Sequence, residues 1–338
     1  MADRNIALVT ARKASDVLES SHAMERIEQD GYTRVDPFRV AATEGLSVLF
    51  RPLDKLLGAF IRDETSGILV NSLRSAGLIH MTCAHELGHY FMGHDSAVDE
   101  TLDYGGNAEK LEQEAESFGY SLLVPRSLLT IICKRKGWNR ASLTNPLILY
   151  QLSLRLGVSY SATAWSLLRH DIFKYPDVLQ LLKTKPATIK RSLLKTDLPD
   201  ATKEVWLLDP SDQSSILEPR AEDHLVVRLK SHASAGYLWH ANSREQVAAE
   251  GFVLSPLAVS EAAPHTVTFG AETTMDYLLS NGDVERDAPQ PVSLSEIRPW
   301  VGKQAEDATF NSQTHFEAIN EGLSKDAKLA LMKEVAAS

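Results

Sequence analysis

His85, Glu86 and His89 stand together in the run Cys83-Ala84-His85-Glu86-Leu87-Gly88-His89-Tyr90-Phe91-Met92-Gly93-His94. No other stretch constrains the fold as strongly. Residues four apart on an α-helix lie on one face. Two imidazoles at that spacing can hold one divalent ion, and a carboxylate directly after the first can reach a water on that ion. The segment is therefore expected to be helical over 75–92, with Gly93 placed to end it. Met81, Ala84 and Met92 mark this helix as buried. Two histidines and a glutamate on a buried helix need polar partners, which favours a metal site over two ordinary surface histidines.

A catalytic site of this kind needs a third protein ligand. The next helical stretch, 107–123, is stopped by Pro125 and carries Glu109, Glu112, Glu114 and Glu116. At about 100° per residue, Leu111, Ala115, Phe118 and Leu122 share one face. Glu114 lies roughly 60–70° from the centre of that face, Glu112 about 90° and Glu116 about 130°. Glu114 is thus the expected ligand, with Glu112 and Glu116 in solvent. His94 and His80 are weaker alternatives, and His94 reads equally well as a substrate contact or a helix cap.

Around this motif the chain of 338 residues is too long for one typical core. Its 43% hydrophobic and 24% charged residues are an ordinary soluble composition. No apolar run reaches 18 residues, no signal-like stretch opens the chain, and Cys83 and Cys133 form no paired motif. A cytoplasmic protein without membrane segments is expected. Residues 1–125 carry 11 Lys and Arg against 20 Asp and Glu, residues 126–195 carry 13 against 2, and residues 196–338 carry 11 against 23. A basic middle of this kind can meet nucleic acid, but pairing with the chain's own acidic parts is the favoured reading.

The expected fold class is α+β. Helical patterns over 11–30, 38–43, 126–136, 145–156 and 160–171 accompany short strand patterns at 46–51, 59–62 and 67–71. Beyond a linker, Glu204–Leu208, Leu225–Lys230, Phe252–Leu257, Thr266–Phe269, Met275–Leu279 and Val292–Leu294 are short, spaced and β-rich, which predicts a β-sandwich. The expected division is a peptidase-like domain over 1–125, a basic helical region over 126–185, a linker over 186–202, a β-sandwich over 203–302 and a helical tail over 303–338.

Ala84–His94, reading AHELGHYFMGH, and Glu112–Pro125, reading EQEAESFGYSLLVP, resemble the ImmA/IrrE family of zincin-like metallopeptidases. The resemblance covers about residues 20–175. It implies a zinc site, or one for another divalent metal, with Glu114 at the family's third-ligand position. It also implies metal-activated water with Glu86 as general base, and a donor for the developing oxyanion for which His94, Tyr104 and Tyr90 are candidates. The implied activity is regulatory proteolysis, linked to transcription regulation and stress response, with a helix-turn-helix repressor or antitoxin as the protein substrate. The run Leu78–Cys83 departs from the family's Arg-Phe-rich pattern, which bears on helix packing more than on ligands.

Leu152–Leu168 has the outline of a helix-turn-helix, although its apolar residues need only a core. Ser234-Ala235-Gly236-Tyr237-Leu238-Trp239 and Arg298-Pro299-Trp300 resemble loops of chagasin-type cysteine-protease inhibitors, which are immunoglobulin-like sandwiches. His232–Ala235 departs from that family's Asn-Pro-Thr-Thr. Gly236, Tyr237, Trp239, Arg298 and Trp300 are therefore read as part of a partner- or substrate-binding module, or of a cover over the peptidase site, rather than of a working inhibitor. The alternative to an enzyme is a non-proteolytic regulator acting on DNA through its basic helices, or on a protein through the sandwich.

Overall fold

The motif helix needs a sheet to lie on, and the chain supplies it from three neighbouring strands and one remote strand. The computed structural model describes residues 4–62, 66–95, 106–195, 200, 202–241, 253–257, 273–280, 288–298, 300 and 304–337. The chain divides into two units, one of Met1–Ile132, Leu152–Leu179 and Ala318–Ser338, the other of Cys133–Gln151 and Gln180–Glu317. Helices and sheets segregate as in an α+β protein. Among the described residues no helix is long and apolar enough to cross a membrane.

The first unit begins with α1 (Arg4–Ser20) and α2 (Ala23–Glu28). One helix was expected over 11–30, but His22 adopts φ 54° and breaks it. α3 (Pro37–Thr43) starts where Asp36 accepts hydrogen bonds from the amides of Phe38 and Arg39, with proline at the first turn. β1 (Ser47–Arg51), β2 (Gly58–Ile61) and β3 (Gly67–Asn71) follow. β1 runs parallel to β3, and β2 pairs antiparallel with β3. α4 (Ala76–Met92) carries the motif and α5 (Gly106–Leu123) the glutamates. Val48, Phe60, Ile68 and Val70 on the sheet and Ile79 and Leu87 on α4 are fully buried. Each such side chain contributes about 1.5–3 kcal/mol.

α6 (Arg126–Lys136), α7 (Arg140–Leu143), α8 (Pro146–Leu156), α9 (Tyr160–Arg169), α10 (Tyr175–Leu182) and α11 (Pro186–Leu194) come next. The expected linker 186–202 therefore starts with a helix, opened by Pro186 at its first turn. The turn between α8 and α9 is packed rather than presented. Gly157 has φ +68°, and a Cβ there would lie 2.8 Å from Arg34 and 3.1 Å from His80. A Cβ on Gly77 would lie 2.6 Å from the Val158–Ser159 backbone. On α9 only Ser161 and Arg169 are exposed.

The second unit holds two four-stranded sheets, ordered β5-β11-β10-β7 and β4-β6-β9-β8. Their strands are β4 (Val205–Leu208), β5 (Ile216–Leu217), β6 (His224–Ser231), β7 (Leu238–Ala241), β8 (Val253–Pro256), β9 (Thr273–Ser280), β10 (Gln290–Ile297) and β11 (Gln304–Thr314). The strand expected at Thr266–Phe269 lies outside the described residues. β4 is an edge strand, and side chains blunt it. The Gln151 amide nitrogen donates to the Val205 carbonyl at 2.9 Å, Leu207 N donates to the Gln151 side-chain oxygen at 2.8 Å, and Val205 N donates to the Tyr150 hydroxyl at 2.9 Å. The basic middle is paired in part with the chain's own acids. Buried Lys136 lies 2.9 Å from Asp209 and 2.8 Å from Asp212, Lys190 lies 2.9 Å from Glu204, and Arg169 lies 3.0 Å from Glu116.

The segment 303–338, expected as a helical tail, forms β11, then β12 (Gly322–Leu323), and only then α12 (Lys325–Ala337). β12 completes the first unit's sheet in the order β12-β1-β3-β2, pairing Leu49 with Leu323 and Phe50 with Gly322. Ser324 N adds a hydrogen bond to the Val48 carbonyl at 2.8 Å, and Ala327 is buried. Deleting residues 318–338 exposes the edge of β1. A lower melting temperature and concentration-dependent aggregation are expected. A melting curve superimposable on that of the full chain would contradict this role for β12.

Candidate metal centre

α4 ends in a turn that matters to the site. Gly93 adopts φ 76°, its amide donates to the Tyr90 carbonyl at 3.1 Å, and the His94 amide donates to the His89 carbonyl at 2.9 Å. This is the Schellman pattern, which needs a residue without a Cβ at the left-handed position. It folds the chain back so that the His94 ring meets the last turn of α4. α5 lies against the other side of the motif at close range. A Cβ on Gly88 would lie 2.8 Å from the Ala115 backbone, and a Cβ on Gly119 would lie 3.3 Å from His85 N.

This close approach brings His85, His89 and Glu112 together, with one ligand atom from each within 4.8 Å of the others. Glu112 lies 3.0 Å from His85 Nε2 and 3.3 Å from His89 Nε2, and the two Nε2 atoms are 3.1 Å apart. The three donors suit a divalent ion. They come from two helices, converge on one point, and include two nitrogens that face each other. His89 is almost fully enclosed, whereas the side chains of His85 and Glu112 keep 24% and 32% exposure. One side is therefore open, as a catalytic rather than a closed structural site requires.

The electrostatics agree with a cation site. Hydrogen bonds from His85 and then His89 hold the Glu112 carboxyl far below the usual carboxylate range. Burial pulls the His85 pKa down, but the Glu112 hydrogen bond and the charges of Glu86, Glu112 and Glu116 outweigh it, so the net shift is upward. Burial, with a contribution from His89, lowers the His94 pKa. Glu86 is buried against β2, where a Cβ on Gly58 would lie 3.2 Å from its Oε1.

Glu114, the ligand expected from the helical wheel, is not in this group. Its carboxylate lies 3.1 Å from His94 Nε2 and 3.6 Å from Lys110. Glu112, expected in solvent, takes the place beside His85 and His89. The packed face of α5 differs from the apolar face of the helical wheel. Leu111 is 38% exposed and does not belong to the contact, whereas Gly119 and Leu123 are buried and do. Recentred on Ala115, Phe118, Gly119, Leu122 and Leu123, the face lies roughly 50° from Glu112 and roughly 110° from Glu114. The usable signal was the glycine pair Gly88 and Gly119, since helices that approach closely do so at small residues.

The remaining candidates separate. His80 is a core residue whose Nδ1 donates to the Gly157 carbonyl at 2.7 Å, so it is not a ligand. Tyr90 packs edge-on to Phe60 at 5.9 Å and lines a groove of about 480 Å³ with Lys13, Asp16, Arg62 and Phe91. Tyr104 lies outside the described residues. In the second unit, the Arg298 guanidinium sits 4.3 Å above the Tyr237 ring, and the Trp300 ring occupies the space a Cβ on Gly236 would need. Gly236, Tyr237, Arg298 and Trp300 thus form one surface, with Trp300 70% exposed. Trp239 instead points into the core and donates its Nε1–H to the Lys230 carbonyl at 2.9 Å.

Comparison with known proteins covers part of the chain. No curated protein matches it. Among solved structures, the cysteine protease inhibitor EhICP2 from Entamoeba histolytica is 18% identical, covering 34% of this chain and 97% of its own, with a TM-score of 0.25. Amebosin is 17% identical, covering 34% of this chain and 98% of its own, with a TM-score of 0.26. At that similarity neither assigns a fold or an activity to any part of this chain. Residues 41–167, which contain His85, Glu86, His89 and Glu112, match the family model of the IrrE N-terminal-like domain, peptidase family M78. The segment 41–167 is therefore similar to the IrrE N-terminal-like family of peptidase domains, the family that its motif resembles.

Proposed function

We propose that the chain is a zinc-dependent regulatory endopeptidase that cleaves a helix-turn-helix transcriptional repressor or antitoxin. The convergence of His85, His89 and Glu112 beside Glu86 carries this reading. A divalent ion held by those three residues would supply Lewis acidity, lowering the pKa of water toward neutrality and polarising a carbonyl. The chain's own residues do the rest. The Glu86 carboxylate takes one proton from the attacking water as its oxygen adds to the scissile carbonyl carbon. It returns that proton to the leaving nitrogen as the C–N bond breaks. Burial of Glu86 against β2 keeps bulk water from competing for that proton. The partial exposure of His85 and Glu112 leaves that side of the site accessible to a substrate.

The repressor substrate rests on the family resemblance, as does action in the cytoplasm. The test has two arms. Elemental analysis is expected to find about one divalent metal per chain, and none in His89→Ala or Glu112→Ala. Incubation with a panel of helix-turn-helix repressors is expected to give one discrete cut in one of them. Indiscriminate degradation of casein would point to a general peptidase. A metal-free chain with no cleavage would leave the non-proteolytic reading standing.

A further inference from the structure

His89 has two ring nitrogens, and the candidate metal centre uses one. Its Nε2 faces His85 and Glu112. Its Nδ1 lies 3.0 Å from His94 Nδ1, with both rings buried. His94 in turn places its Nε2 3.1 Å from the Glu114 carboxylate, whose other oxygen lies 3.6 Å from Lys110. A neutral imidazole has one N–H and one lone pair. If Nε2 of His89 gives its lone pair to a metal, Nδ1 must carry the hydrogen. His94 Nδ1 must then accept it, so His94 must carry its own hydrogen on Nε2, facing Glu114. Each link fixes the next, and every hydrogen in the chain has one place to go.

We infer that His94 and Glu114 are positioning residues, a hydrogen-bonded chain in which Glu114 acts through His94 to lock the tautomer and ring orientation of the metal ligand His89. This rests on the metal-site reading above and assigns Glu114 a role other than ligation. Two backbone features build the chain. The Gly93 turn returns His94 to the helix end, and α5 presents Glu112 and Glu114 on either side of its contact with α4. Outer partners of this kind are worth 10–100-fold in metal affinity in general.

The test is zinc affinity of the full chain, measured by titrating the metal-free protein with Zn2+ against a chromophoric chelator. His94→Ala and Glu114→Ala are each expected to weaken binding about 10–100-fold. Because Glu114 works through His94, the double variant should bind within about 2-fold of His94→Ala alone. Glu114→Gln keeps a carbonyl acceptor for the His94 Nε2–H and should recover most of the loss. Additive losses would overturn the inference, as would single variants that bind like the unaltered chain. Abolished binding in Glu114→Ala together with intact binding in Glu112→Ala would make Glu114 the ligand, and would also overturn it. Nitrogen-15 spectra of the unaltered zinc-loaded chain need no substitution. They should show His89 with its hydrogen on Nδ1 and His94 with its hydrogen on Nε2, and the opposite tautomer at His94 ends the proposal. Failure of the unaltered chain to bind Zn2+ would instead sink the metallopeptidase reading itself.

Discussion

Glu86→Gln is expected to retain its metal and to lose peptide-bond cleavage by about 10²–10⁴-fold, the range for removing a general acid–base group. The substitution keeps the size of the side chain, which matters because Glu86 is 5% exposed and packed against Gly58. It leaves His85, His89 and Glu112 untouched. It removes a charge but no ligand, so the metal should stay bound, while the step that moves a proton from water to the leaving nitrogen has no base. Elemental analysis and turnover of a quenched-fluorescent peptide library separate the two effects. Undiminished turnover would falsify the assigned role of Glu86.

Gly88→Ala is expected to damage the site without touching a ligand. An added Cβ would lie 2.8 Å from both Cα and O of Ala115, backbone atoms that cannot rotate away. Alanine in a helix interior is favoured over glycine by about 1 kcal/mol. Overpacking at a helix contact costs about 1–3 kcal/mol and is relieved only by moving α5 off α4. The clash outweighs the propensity gain. Because α5 carries Glu112 and α4 carries both histidines, that movement widens the 3.0 Å and 3.3 Å distances between them. Zinc affinity should fall together with melting temperature. Gly119→Ala, whose Cβ would meet its nearest atom at 3.3 Å, should do less of both. Tight zinc binding in Gly88→Ala would show that the helix separation is not what sets the site.

The local elements were legible because their signals are local. β3 over Gly67–Asn71, α3 after its Asp36 cap and α6 over Arg126–Lys136 fall within a residue of expectation. Each is bounded by a residue whose backbone chemistry acts on its own neighbours. The unexpected strands have the opposite character. β5, β7 and β11 were not expected, and a strand is only as stable as the partner that completes its hydrogen bonds. β12, two residues long, exists because β1 presents an edge to it.

The His-Glu-x-x-His spacing on one helix determined the type of chemistry, because residues one turn apart must share a face whatever surrounds them. Gly93 determined where that helix ends. The third donor was a different kind of question. Glu112 and Glu114 differ by two positions, or about 160° around the helix axis, and only the packing of α5 on α4 decides which points at His85 and His89. That packing is set by Gly88 meeting Ala115 and by Gly119 meeting Ala84 and His85. These contacts bring together residues that are remote in sequence, and nothing in either helix alone specifies them. The tertiary structure therefore set Glu112 beside His85 and His89 and gave Glu114 to His94.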